Sequence, residues 1–153
     1  MNWVERKFAR EDTLLNSARL VWEEVRTAIA DACNSFSGRC DSPTIARNNE
    51  NGHAVVVRVA FSPRFHPGIA GGLHPLNVVR IEFDEQQNLI TSTLNDKSAQ
   101  KFLIDADENG CFISHQNTRI DSDKLSQKVL EEALFKEPSS PTPQYTQPHR
   151  EWG

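Results

Sequence analysis

The closest approach to a metal site in this 153-residue chain is the run Asp105, Asp107, Asn109 and Gly110. Oxygen ligands at alternating positions followed by Gly open an EF-hand calcium loop, where the carboxylates wrap one hard cation and Gly permits the sharp turn. The closing half departs from that pattern. The twelfth position, which needs a bidentate Glu, holds Gln116, and Gln offers one neutral oxygen. The flanks also alternate as strands do, with Phe102 and Ile104 before the run and Cys111 and Ile113 after it. The run therefore reads as an acidic hairpin turn, and no metal site is assigned.

A second cluster lies between Ser62 and Asn77, a stretch long for a connection between strands. It carries Arg64, His66 and His74, with Pro67, Gly68, Gly71, Gly72 and Pro75. Two imidazoles and a guanidinium could hold an anion or exchange protons, so these three are candidate binding residues. The Gly71-Gly72 pair is not followed by the Gly-Lys-Ser/Thr of a phosphate loop. Neither G-x-S-x-G nor H-E-x-x-H occurs, and no catalytic residue or cofactor is assigned. His53 and His115 fall at strand ends, each isolated in the sequence. Cys33, Cys40 and Cys111 form neither a disulfide framework nor a zinc spacing, and read as reduced thiols.

These residues must be positioned by the elements around them. From Asn2 to Ser37 there is no Gly or Pro, and Phe8, Leu15, Trp22, Ile29 and Phe36 recur every seven residues. With Val4, Ala18, Val25 and Ala32 nearby, this is the apolar stripe of one long helix. Asn2 and Glu5 form a capping box, Gly38 suits its end, and Arg19 can pair with Glu23 one turn on. About 35 residues would span roughly 50 Å, more than a domain of this size needs. The helix must break near Glu11–Thr13, or its first turns must project. After it, alternation predicts an edge strand at Thr44–Arg47 and strands at His53–Phe61, Asn77–Asp84, Leu89–Leu94, Lys101–Ala106 and Cys111–His115. Asp121 or Ser122 can cap a second helix bearing Leu125, Val129, Leu130, Ala133 and Leu134, which stops before Pro138.

The expected architecture is thus α+β in two layers: a long N-terminal helix, a five- or six-stranded antiparallel meander and a C-terminal helix. Residues 1–137 make one domain, and 138–153, rich in Pro, Ser, Thr and Gln, read as a flexible tail. In element order alone the plan resembles profilin-like and cystatin-like domains. The sheet face away from the helices carries Val56, Arg58, Val78, Arg80, Glu82, Leu103 and Phe112, greasier than a solvated face requires. Arg58 and Arg80 on that face are candidate arginine anchors for a partner.

Composition narrows the classes. The net charge of −4 argues against nucleic-acid binding. No apolar run approaches the roughly 20 residues needed to cross a bilayer, and Met1–Arg10 has no apolar leader core. A cytoplasmic protein without membrane association is expected. The first expectation for function is a non-enzymatic protein-binding module (adaptor, chaperone, inhibitor or immunity-type protein) whose partner is another protein or itself in a homodimer. The alternative is a small enzyme or ligand-binding domain using the Arg64–His74 loop.

Overall fold

The computed structural model describes residues 2–37, 44–48, 53–60, 76–97 and 99–136. Helix α1 runs unbroken from Trp3 to Ser37, a length of roughly 50 Å. Its entry is capped as the sequence implies, with the Glu5 amide donating to Asn2 Oδ1 at 2.9 Å. Thr13, at the expected breaking point, bonds its hydroxyl back to the Ala9 carbonyl at 2.9 Å, a local partner that a helix tolerates. Of the two outcomes open to so long a helix, the first turns project. Ala18, Trp22, Val25, Ile29 and Cys33 are its buried residues, one stripe at helical spacing.

Seven strands among the described residues form one antiparallel sheet in chain order: β1 Thr44–Asn48, β2 Ala54–Ala60, β3 Leu76–Asp84, β4 Leu89–Leu94, β5 Ala99–Asp107, β6 Gly110–His115 and β7 Thr118–Ile120. The first six are those the alternation implies, so the meander expected from the sequence is present. β7 is additional. Its three residues are too short to show a period, and its turn rests on Gln116 and Asn117, both at positive φ (53° and 65°). Two such residues make the tight turn that matches strand twist. A Gln-Asn pair is a weaker signal for it than Asn-Gly.

The register fixes the faces. Val55, Val57 and Val59 on β2 and Val79, Ile81 and Phe83 on β3 point inward with Ile90, Phe102, Ile104 and Ile113. They form one core with Trp22, Val25 and Ile29 of α1 and with Leu125, Val129, Leu130, Ala133 and Leu134 of α2 (Ser122–Phe135). Trp22 and Phe83 stack with centroids 5.5 Å apart. Both helices cover this one face: α1 approaches β1, β5 and β6, α2 approaches β3 and β4, and the helices pack on each other. That is the two-layer α+β plan.

α2 is held at both ends. The Asp121 side chain accepts from the Lys124 amide at 2.7 Å. At the other end Asn77, buried on β3, donates through Nδ2 to the carbonyls of Ala133 (2.9 Å) and Lys136 (2.7 Å). Its Oδ1 accepts from Asn95 Nδ2 at 2.9 Å, and Asn95 Oδ1 accepts from the Val78 amide at 2.7 Å. Carbonyls that a helix end leaves without partners are thus taken up by the sheet. The proline-rich stretch 138–153 lies outside the described residues.

Candidate functional site

The open face of the sheet is composed as the alternation implies. Arg58 stands opposite Val78, and Arg80 opposite Val56, so the two arginines are diagonal neighbours on adjacent strands, both exposed. Arg80 Nε lies 3.3 Å from Glu82 Oε1. Further across, Leu89 pairs with Leu103, which is 42% exposed, and Phe112 stands opposite Asp105. Arg119 on β7 sets its guanidinium 3.7 Å above the Phe112 ring and pairs with Asp107. The hydrogen bond from Arg119 first, and the Asn109 amide second, hold the Asp107 carboxyl below its ordinary value. Apolar side chains and closed ion pairs alternate here. Arg64, His66 and His74 lie outside the described residues.

The calcium-like run is the β5–β6 hairpin. Asp105 Oδ1 accepts from Arg10 Nε at 2.7 Å, and Asp107 accepts from Arg119 while its Oδ1 takes the Asn109 amide at 2.8 Å. Gly110 sits at φ +120°, a conformation that disfavours side chains, and Gln116 belongs to the next turn, between β6 and β7. The two carboxylates therefore brace α1 and β7. The thiols face inward: burial pushes Cys33 up to about 11, and burial with the charge of Asp105 raises Cys111. Cys33 and Cys111 are unlinked, and Cys40 lies outside the described residues.

The histidines correct the expectation of isolation. His53 Nε2 lies 3.3 Å from Glu85 Oε1 and 3.3 Å from Arg19 Nη1, and Arg19 bonds the same oxygen at 2.8 Å. Arg19 thus pairs with the β3–β4 turn instead of Glu23, which pairs with Arg26 at 2.8 Å. Spacing within a helix could not reveal a partner 66 residues away. His115 is buried, stacks on Phe102 at 4.4 Å and meets the Lys101 carbonyl through Nδ1 at 3.0 Å. Both imidazoles are tied into the structure.

Among the described residues, several large apolar side chains on α1 are exposed. Trp3 is 69% exposed, Phe8 63% and Leu15 83%, with Val4 beside them. Val4, Phe8 and Leu15 continue the line of Trp22 and Ile29 and are exposed, whereas the sheet meets this part of α1 through Arg10, Thr13 and Leu14. A second feature escaped the sequence reading. A groove of about 460 Å³ runs between α1 and α2, lined by Phe36, Leu130, Leu134 and Phe135 among others. Phe135 is exposed and meets Phe36 edge-on at 5.4 Å. Its place at the end of α2, one residue past the apolar stripe, was the available signal.

Comparison with protein-family models, curated proteins and solved structures gave no match.

Proposed function

We propose that this chain is a non-enzymatic protein-binding module, of adaptor, chaperone, inhibitor or immunity type, which takes its partner along the first turns of α1. The observation that carries the reading is the exposure of Trp3, Phe8 and Leu15 on one continuous helix. Apolar surface left in water costs about 25 cal/mol per Å². Large patches of it on a protein surface mark interaction sites. Residues spaced at 4, 8 and 15 present anchors on one side of the helix, the form in which a helix enters an apolar groove or lies against another helix. Aromatic anchors give such contacts most of their energy. Arg58 and Arg80, on the opposite side of the sheet, supply a more polar second surface.

Binding assays with a partner in hand, comparing the chain with its Leu15→Glu variant, test the reading. Leu15 has so little contact with its own fold that the variant should melt as the parent does while binding falls at least tenfold. Equal binding by both proteins would remove α1 as the docking element. The open sheet face would then be the surface to examine, through Arg58→Glu and Arg80→Glu.

A further inference from the structure

We infer that Asn109 is a site of spontaneous covalent modification, at which the backbone nitrogen of Gly110 displaces the side-chain amide and water leaves aspartate or isoaspartate in its place. That chemistry needs an asparagine whose side chain can turn, a following residue without a side chain, and a backbone that can open. The β5–β6 hairpin supplies all three.

Asn109 is exposed at the tip of the hairpin. Its backbone amide donates to Asp107 Oδ1 at 2.8 Å, and its side-chain amide takes no hydrogen-bond partner among the described residues. Asn77 and Asn95 differ, each being bonded through both ends of its side-chain amide. Gly110 has no Cβ, and nothing lies within 4 Å of the place one would take. Asn88, Asn95 and Asn117 also stand in turns, but Leu89, Asp96 and Thr118 follow them, with side chains that crowd the attacking nitrogen. Asp107 and Gly110 form the last rung of the β5–β6 ladder, and fraying ends open most readily. Asn51 also precedes a glycine and lies outside the described residues.

The atoms balance with water as the one co-reactant. Gly110 N gives up its proton and bonds to Asn109 Cγ. The bond from Cγ to Nδ2 breaks, and the nitrogen takes up a proton and leaves as ammonia. A five-membered imide ring remains. Water opens it at either carbonyl: one way gives aspartate, the other carries the main chain through Cγ and gives isoaspartate. Either product sets a new negative charge beside Asp107 and Glu108, where Arg119 is the pairing cation. Isoaspartate also lengthens the backbone of a tight turn, which the Asp107–Gly110 rung cannot span in register. β7 is braced through Asp107, so its attachment weakens with the turn.

Incubation of the full chain in mildly alkaline buffer, followed by mass spectrometry of its tryptic peptides, tests the inference. Peptide 102–119 carries both Asn109 and Asn117, so the second residue is an internal control. The expected result is a gain of about 1 Da placed on Asn109, at least tenfold faster than any gain on Asn117. The rate should rise with pH, because the attacking nitrogen must lose its proton. Gly110→Ala should slow the gain at least fivefold, in the folded chain and in urea alike. Equal rates at Asn109 and Asn117, or a gain at Asn109 that appears only in urea, would overturn the inference.

Discussion

Trp22 is where the core is concentrated. It is fully buried, stacks on Phe83 and joins α1 to the sheet, so Trp22→Ala should cost about 3–5 kcal/mol in denaturant unfolding. An unchanged midpoint would displace Trp22 from that role. Cys33, in the same stripe, gives the fold an alkaline sensitivity. Its thiol is held up to about 11 in the folded chain, against 9.0 for the group in water. Between these values the unfolded chain has lost a proton that the folded chain keeps, so stability falls as pH rises from 9 to 11 and is complete below 9. The parent should lose stability faster than Cys33→Ala across that window, by up to about 1.4 kcal/mol per pH unit. Parallel unfolding curves for the two proteins from pH 8 to 11 would contradict this.

At the scale of elements, α2 is sealed by the sheet more than by its own sequence. Asn77 caps its last carbonyls from β3 and is itself oriented by Asn95. Removing the amide leaves buried acceptors without a donor, which costs about 1–3 kcal/mol. Asn77→Ala should lower the melting temperature accordingly, with faster amide exchange in Ala133–Lys136 than elsewhere in α2. Uniform exchange along α2 would mean that the cap is replaceable. The sequence made the Asn77–Asp84 strand legible through Val79, Ile81 and Phe83. Nothing in that alternation disclosed that the strand's first residue serves a helix 56 residues away.

For the molecule as a whole, α1 serves two ends. Its Ala18–Cys33 stretch buries the sheet, and its first turns reach past it, tied back by Arg10 to Asp105. That surface ion pair is worth about 0–1 kcal/mol. A chain lacking residues 1–10 should therefore unfold within about 1 kcal/mol of the parent. A larger loss of stability, measured by denaturant, would mean that these turns belong to the core.

The long helix, strands β2 to β6 and the second helix are legible in the sequence because each repeats a local period that burial on one side imposes. The apolar mixture of the open sheet face is legible for the same reason, since Val56, Arg58, Val78 and Arg80 hold the positions between inward residues. The overlong α1 could also be seen, but not its outcome, because a break and a projection have the same periodicity. Only the tertiary structure decided that it projects, that Arg19 meets Glu85 and His53, and that Asp105 and Asp107 bind Arg10 and Arg119. Period is a property of neighbours along the chain, whereas ion pairs, caps and exposed stripes depend on which distant segment lies across from them.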